Sequence, residues 1–193
     1  MGKQVFSKGF YWPFSCLHMV EQAKYDVVET VGRVEIRRYP EIVVAKVEGY
    51  ADGGFNILFR FISGANVKKT KIAMTAPVIS ERIAMTAPVL SDDTSIAFVM
   101  PDKYTVETTP EPLDKRVKIV NVPERLVAAL RFSGRWTQSN FSSRTRELLD
   151  ELEREGIRIK GEVFSMRYDG PFKPWFMRRN EVAVEVEPRE ETA

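Results

Sequence analysis

An internal repeat at a constant offset of 83 residues limits the folds that are open to this chain. Residues 33–45 and 116–128 agree at seven of thirteen positions, in the pattern Arg-Val-x-Ile, Pro-Glu and Val-Ala. Each block contains two runs of strand-forming residues hinged at Pro-Glu, and a helical pattern follows each block within about 15 residues. The repeat therefore predicts a tandem duplication of one supersecondary unit.

A second repeat is shorter and identical in every letter. The heptad Ile-Ala-Met-Thr-Ala-Pro-Val occupies residues 72–78 and again residues 83–89. Alternation places its first, third, fifth and seventh residues on one face, which we expect to point inward. An odd offset would turn the second copy over on a single strand, so residues 80–82 are predicted to form a turn or bulge between two strands. Proline cannot donate to a ladder, and Pro77 and Pro88 therefore predict a sheet edge or barrel seam.

Length and charge bound the class of protein. The chain has 193 residues, of which 44% are hydrophobic, and this suits one compact domain. We assign residues 1–24 to an N-terminal extension rich in aromatic residues, residues 25–188 to the domain, and residues 189–193 to a charged tail. Lys and Arg total 29 and Asp and Glu total 27, so a net charge of +2 argues against a nucleic-acid partner.

Several features favour the cytoplasm, and we expect a monomer. Cys16 is the single cysteine, which excludes an internal disulfide framework. No apolar run approaches the length of a membrane span, and the N-terminus lacks the apolar stretch and small-residue cleavage site of a signal peptide. We therefore expect neither a membrane span nor export.

The order of strand and helix patterns predicts an α+β fold. A first helix is predicted from a cap at Asp52 to a stop at Gly64, and a second from about 139 to 155, closed by Gly156. The predicted strands lie at about 26–30, 33–39, 41–48, 70–78, 83–90, 94–100, 116–121, 125–132, 161–169 and 180–187.

The first helix is apolar on two sides. Its expected inward stripe consists of Phe55, Leu58, Phe59 and Ile62. Ile57 and Phe61 are predicted on the far side, near Arg60. Either the aromatic N-terminal extension covers this second face, or an apolar ligand does so with its charged edge against Arg60.

Residues for catalysis or metal binding are scarce. His18 is the single histidine, which argues against Ser-His, Cys-His and multi-histidine chemistry, and Cys16, His18 and Met19 are too few for a metal site. Glu41 with Glu124, and Glu147 with Glu151, are expected to be solvated charges, since no paired acid lies within an apolar run. Met74 and Met85 either line an adaptable apolar pocket or belong to an ordinary core. We therefore predict a protein that is not an enzyme.

Several motifs together identify a family that this chain resembles. They are the strand pair from Val34 to Val47, Phe-Arg-Phe-Ile-Ser-Gly-Ala-Asn at 59–66, Lys-Ile-Ala-Met-Thr-Ala-Pro-Val at 71–78, Phe-Val-Met-Pro at 98–101, and Pro-Phe-Lys-Pro-Trp-Phe-Met-Arg-Arg-Asn-Glu-Val at 171–182. In combination they are similar to the SOUL haem-binding protein family, and the similarity runs from about Tyr25 to Glu187.

The resemblance implies a fold and a ligand. The fold would be a distorted antiparallel β-barrel of two pseudo-symmetric halves, each with one helix, in agreement with the repeat. The ligand would be haem or a free porphyrin, held without covalent bonds in an apolar groove beside the first helix. The resemblance implies that Arg60 and Lys173 pair with the propionates and that Phe59 contacts the macrocycle. The predicted haem-binding residues are Phe55, Phe59, Arg60, Met74, Met85, Lys173 and Trp175.

The predicted role is that of a carrier, buffer or sensor of haem, and two alternatives stay open. Some family members have an axial histidine near the first strands, and this chain has no histidine there, so we predict haem binding without a histidine ligand. The fold also resembles effector-binding modules of bacterial transcription regulators, which bind flat apolar or cationic molecules and would need a buried carboxylate facing aromatic rings. The third class is a protein-interaction module, in which either the apolar second face of the first helix binds a partner helix or the aromatic N-terminal extension acts as a docking arm.

Overall fold

The computed structural model describes residues 21–49, 53–82, 94–170 and 172–189. The predicted strand of the second heptad and most of the predicted N-terminal extension lie outside these residues. Glu21–Gln22, near the end of that extension, pairs in parallel with residues Thr75 and Ala76.

Within the described residues the chain forms ten strands, two α-helices and one 3-10 helix. The strands are β1 Glu21–Gln22, β2 Asp26–Val31, β3 Val34–Tyr39, β4 Ile42–Val47, β5 Thr75–Arg82, β6 Thr94–Val99, β7 Lys118–Val122, β8 Arg125–Phe132, β9 Phe164–Arg167 and β10 Asn180–Glu185. The helices are α1 Gly54–Ile62, α2 Gln138–Arg154 and the 3-10 helix Trp175–Met177.

The order of the strands in the sheet confirms the predicted duplication. The order is β2-β3-β8-β10-β9-β5-β6-β4-β7. The 83-residue offset relates β3 to β7 and β4 to β8, so the order is a palindrome once β2 is set aside. Its centre is the β5–β9 pair, where Ser80 lies opposite Ser165. Each half gives one strand to the other, because β3 pairs with β8 and β7 pairs with β4.

Strand alternation divides the core into three hydrophobic clusters. On β4, Ala45 and Val47 point to the face covered by α1, whereas Val44 points to the opposite face. On β8, Ala128 belongs to the cluster under α2, whereas Val127 joins Val44 on the opposite face. The two helices thus cover the two halves of one face of the sheet, and a third cluster fills the inner face.

The predicted α+β fold with two pseudo-symmetric halves is confirmed, but the sheet does not close into a barrel. Among the described residues, β2 and β7 each pair with one neighbour and leave the sheet with two ends. The structure is a distorted, mostly antiparallel sheet with two helices.

Two predictions about the first heptad are wrong. Residues 80–82 continue β5 rather than turning, and the register shift lies earlier, between Thr75 and Val78. Pro77 is not at an edge, because β5 lies between β6 and β9 in the middle of the sheet. The sheet accommodates this proline because the register shift leaves Pro77 without a paired residue on β6. The Ala76–Pro77 peptide is cis.

Candidate functional site: an open cavity beside helix α1

Helix α1 ends where the sequence predicts. Gly64 has a positive φ of 116°, a conformation that glycine adopts without steric cost. The Gly64 N–H donates to the Phe61 carbonyl at 3.2 Å, and the Ala65 N–H donates to the Arg60 carbonyl at 2.9 Å. At the other end the N-cap is Gly53, which provides no side-chain cap, and the predicted cap Asp52 lies outside the described residues.

The orientation of α1 differs from the prediction. Leu58, Phe61 and Ile62 are its buried large side chains, and Phe61 is only 1% exposed. Phe55 and Phe59 are 41% and 48% exposed, so they lie on a solvent-exposed side of the helix rather than on the face that packs against the sheet. Both sets of apolar residues have helical spacing, and the sheet below α1 accepts the set that contains Phe61.

A loop between β6 and β7 is fastened to the end of α1. The Val67 N–H donates to the Glu111 carbonyl at 2.9 Å, and the Leu113 N–H donates to the Ala65 carbonyl at 3.3 Å. The buried Asn66 side chain donates to the carbonyls of Phe61 and Thr70, which holds the turn that receives this loop.

These contacts leave an open cavity of about 480 Å³ between α1 and the loop. This volume lies within the range of small-molecule sites. The cavity is lined by Ile57, Arg60, Phe61, Ala65, Leu113, Asp114 and Lys115. Four of these residues are apolar and the other three are charged, so the site has apolar walls and an ionic mouth.

The electrostatics of the mouth favour an anion. Arg116 contacts Asp114 at 2.6 and 2.9 Å, and its hydrogen bonds lower the pKa of the Asp114 carboxyl to about 2, with a smaller contribution from the charge of Arg60. Asp114 is therefore ionised and neutralised by Arg116. Arg60 and Lys115 have no ion-pair partner among the described residues, and their two positive charges remain available to a ligand.

The predicted aromatic contacts lie on the other flank of α1. Phe55 and Phe59 stack on each other with their ring centroids 6.1 Å apart, and Phe55 meets the edge of Phe98 at 5.2 Å. Ile57 and Arg60 face the cavity. The helix therefore separates the predicted residues Phe55 and Phe59 from Arg60.

The other predicted residues are spread over the fold. Met74 is partly buried and packs against the cluster under α1, and Met85 lies outside the described residues. Lys173 and Trp175 belong to the loop between β9 and β10, where the Lys173 ammonium pairs with Asp169 at 2.8 Å. Neither Lys173 nor Trp175 lines the cavity.

Sequence reasoning missed the loop residues Leu113, Asp114 and Lys115. The Pro-Glu-Pro segment at 110–112 marks a loop, but its position beside α1 depends on hydrogen bonds between residues that are distant in sequence. The available signal was one apolar residue followed by two charged residues at 113–115, and it is weak on its own.

A buried ionic network on the inner face of the sheet was also missed. The Glu181 side chain is fully buried and accepts hydrogen bonds from Arg37, Arg179 and Tyr168. Burial alone would raise the pKa of Glu181, but the hydrogen bonds and charges of Arg37 and Arg179 lower it. Glu181 therefore stays ionised despite its burial.

This network already contains its own cations. The Arg37 guanidinium lies 4.4 Å from the ring centroid of Tyr25, and that of Arg179 lies 3.8 Å from the ring centroid of Tyr168. A neighbouring space on the inner face, lined by residues such as Tyr39 and Met166, has a volume of only about 10 Å³, which is room for a water molecule at most.

The part of the chain that the structure describes contains no helix long and apolar enough to span a bilayer. It also contains no group of three or more His, Cys, Asp or Glu side chains placed to hold a metal ion.

Solved structures with a similar fold include a regulator and a protein described as a hydrolase. The regulator is EcmrR in a cryo-EM complex with DNA, with a TM-score of 0.61, 11% identity, and coverage of 80% of this chain and 57% of that chain. The hydrolase is from Listeria innocua, with a TM-score of 0.59, 14% identity, and coverage of 80% and 92%. At these identities the similarity shows the fold alone.

Two relatives in sequence are named for haem. Heme-binding protein 1 of Sus scrofa is 26% identical over 125 residues, which are 65% of this chain and 65% of the relative, so the match spans slightly less than two thirds of the pig protein. Heme-binding protein 2 of Mus musculus is 27% identical over 179 residues, or 85% of this chain and 87% of the relative. The SOUL heme-binding protein family matches residues 20–185, and the chain belongs to this family.

Proposed function

We propose that this protein binds haem or a free porphyrin, reversibly and without a covalent bond, in the cavity beside α1. The observation that carries the proposal is an open cavity of about 480 Å³ with apolar walls and two cations at its mouth, Arg60 and Lys115. A haem or porphyrin presents the matching chemistry, because it is a flat apolar macrocycle with two carboxylates at one edge. The family and the names of the two relatives support the same ligand class.

The proposed affinity is roughly micromolar. Burial of a large apolar macrocycle contributes many kcal/mol at about 25 cal/mol per Å², and the loss of rigid-body freedom offsets much of that gain. Ion pairs at a solvated cavity mouth add little each. A site of this strength suits a carrier or a buffer, which must both load and release its ligand. We also propose a monomer in the cytoplasm, because a single cysteine suits a reducing compartment.

Iron ligation is not part of the proposal. No residue that lines the cavity is a histidine, cysteine, methionine or tyrosine, the usual protein ligands of haem iron. Haem would thus be held by packing and by its propionates, and metal-free protoporphyrin should bind about as well. His18, which lies outside the described residues, is the test: His18→Ala should leave the haemin affinity and the Soret band unchanged. A large loss of haemin affinity with unchanged protoporphyrin binding would show that His18 is a ligand.

The alternative of a flat cationic ligand is the weaker candidate. The structure contains a buried carboxylate facing aromatic rings, as such a ligand requires, at Glu181 and Tyr168. Arg37 and Arg179 already neutralise that carboxylate, and the neighbouring space holds no more than a water. The cavity beside α1 presents two cations, Arg60 and Lys115, which would repel a cationic ligand.

A protein-interaction module would draw on a different feature. The stacked Phe55 and Phe59 side chains are about half exposed on the flank of α1 that faces away from the cavity.

The family resemblance implies haem contacts by residues that do not line the cavity, and these contacts stay predictions. Whether they form depends on how far the macrocycle extends beyond the cavity. The residues are Phe55, Phe59, Met74, Met85, Lys173 and Trp175.

Titration with haemin and with protoporphyrin tests the proposal. The parent protein should saturate at one equivalent, and the double variant Arg60→Glu, Lys115→Glu should bind roughly thirty-fold more weakly, because two attractions become repulsions. Lys68→Glu is the matched control, since this exposed lysine does not line the cavity. Uptake without saturation, or equal affinity for parent and double variant, would reject the proposed site.

A further inference from the structure

The loop between β9 and β10 exposes an unusual group of apolar side chains. Phe172 is fully exposed, and Trp175, Phe176 and Met177 are each about half exposed or more. They lie within six consecutive residues, whereas the exposed apolar residues of most soluble surfaces are scattered. We call residues 172–177, which carry these four side chains, the aromatic loop.

Hydrogen bonds within the loop and to the residues after β8 fix the backbone of the aromatic loop. The Met177 N–H donates to the Pro174 carbonyl at 2.9 Å, and the Arg178 side chain donates from Nε to the Lys173 carbonyl at 2.7 Å. The Trp175 carbonyl accepts from the Gly134 N–H, which ties the loop to the end of β8. The apolar side chains are therefore presented on a fixed turn, and entry into an apolar medium would leave these backbone groups satisfied.

The charge around the aromatic loop is positive. Residues 169–181 contain three basic residues, Lys173, Arg178 and Arg179, and two acidic residues, Asp169 and Glu181, so the net charge is +1, and Lys173 and Arg179 pair with these acids. The Arg135 guanidinium lies 5.4 Å from the ring centroid of Trp175 and has no ion-pair partner among the described residues. The nearest acid in sequence, Asp169, is already bound by the Lys173 ammonium and the Arg179 N–H.

We propose that the aromatic loop docks this protein on an anionic membrane surface. Aromatic rings and methionine would enter the boundary between head groups and acyl chains, and Arg135, which lies beside Trp175, would contact anionic head groups. The charge complementarity decides the occupant: a bilayer with anionic lipid offers a flat negative layer directly above an apolar one, in the order that this loop presents. The protein would remain on the surface, and the contact would be reversible.

Cosedimentation of the haem-free full chain with phosphatidylcholine vesicles, with and without phosphatidylserine, tests this proposal. The parent should bind the vesicles that contain phosphatidylserine several-fold more strongly, and high salt should reduce the difference. Phe172→Ser with Phe176→Ser should lower the partition coefficient about tenfold or more, because two phenyl rings no longer enter the interface. These two residues belong to neither the cavity nor the predicted haem-binding set, so the haemin affinity of the double variant should equal that of the parent.

The matched control is Val27→Ser with Val28→Ser, which removes two half-exposed apolar side chains from β2 at one end of the sheet. This control should sediment like the parent. The proposal is overturned if the parent does not sediment with either vesicle, or if both double variants lose binding equally. It is also overturned if the Phe172, Phe176 variant keeps its vesicle binding or loses haemin affinity, since the loop would then serve another contact. A failure of haemin binding in the parent would reject the proposed function and leave the vesicle result intact.

Discussion

The two halves of this protein share one strand arrangement and carry two different helices. Helix α2 has 17 residues, and the Thr137 side chain accepts a hydrogen bond from the Asn140 N–H at its N-terminus. Its outer face bears ion pairs, such as Arg154 with Glu151 at 2.8 Å. Helix α1 has nine residues, a glycine N-cap without a side-chain bond, and two half-exposed phenylalanines.

The difference between the two helices leads us to propose separate tasks for the two halves. In the second half, α2 covers the sheet with Leu148 and Leu152 and presents a charged surface to solvent. In the first half, the shorter α1 leaves room for a loop from a distant part of the chain, and the cavity lies between them. Under the proposed function, the α1 half contains the ligand site, and the α2 half has a structural role only.

The contact that joins the halves gives the largest expected effect. Glu181 on β10 and Arg37 on β3 form a fully buried pair at 2.6 Å. Glu181→Ala would leave Arg37 buried without its main partner, and we expect the free energy of unfolding to fall by about 3–5 kcal/mol in a denaturant titration. Glu151→Ala removes a surface ion pair and should cost no more than about 1 kcal/mol. Equal losses in the two variants would contradict this description of the network.

The same pair predicts acid sensitivity. The pKa of Glu181 is lowered in the folded state, so its contribution to stability is complete above the unfolded value of about 4.5. That contribution is lost as the pH falls through the lower folded pKa. Thermal melting from pH 7 downward should therefore show a decline below about pH 4.5 that is smaller in Glu181→Gln. A parallel decline in both proteins would assign the acid sensitivity to other groups.

Core truncation under each helix tests whether the two tasks are separate. Leu152 on α2 and Leu58 on α1 are both completely buried, and replacement of either by alanine should cost about 3 kcal/mol. Haemin affinity, measured where both variants are folded, should change in Leu58→Ala, because α1 forms one wall of the cavity. It should not change in Leu152→Ala. Loss of affinity in Leu152→Ala alone would reverse the assignment.

The two flanks of α1 can be compared directly. Ile57→Ser removes an apolar wall of the cavity and should weaken haemin binding roughly tenfold, whereas Phe59→Ser should have a smaller effect. Neither residue is fully buried, so the melting temperatures should change little. A larger effect from Phe59→Ser would place the macrocycle on the stacked phenylalanines and favour the site that the family resemblance implies.

The sequence predicted the duplicated strand arrangement better than it predicted the buried side of α1. The 83-residue offset is visible because both copies keep the same Pro-Glu hinge, and the sheet pairs those copies symmetrically. The buried side of α1 was predicted wrongly because Phe55, Phe59 and Phe61 are chemically equivalent in a periodicity argument, and only the sheet beneath the helix distinguishes them.

The candidate site depended on information that periodicity does not contain. Arg60 could be singled out as a cation beside apolar residues, but Lys115 reaches the same cavity through hydrogen bonds between the loop and the end of α1. The burial of Glu181 was not predicted, because it depends on Arg37, which lies on a strand that is distant in sequence. Both residues acquire their environment from contacts between segments that are distant in sequence.

Chemical-shift mapping with metal-free protoporphyrin tests the central claim most directly, because this ligand is diamagnetic and requires no iron ligand. We predict that the largest amide shift changes on titration cluster at residues 57–65 and 113–115 and saturate at one equivalent. Amides around Leu148 and Leu152 in α2 should stay unchanged. Saturable changes centred on α2, or on residues 172–177 with none at 57–65, would contradict the assignment of ligand binding to the α1 cavity.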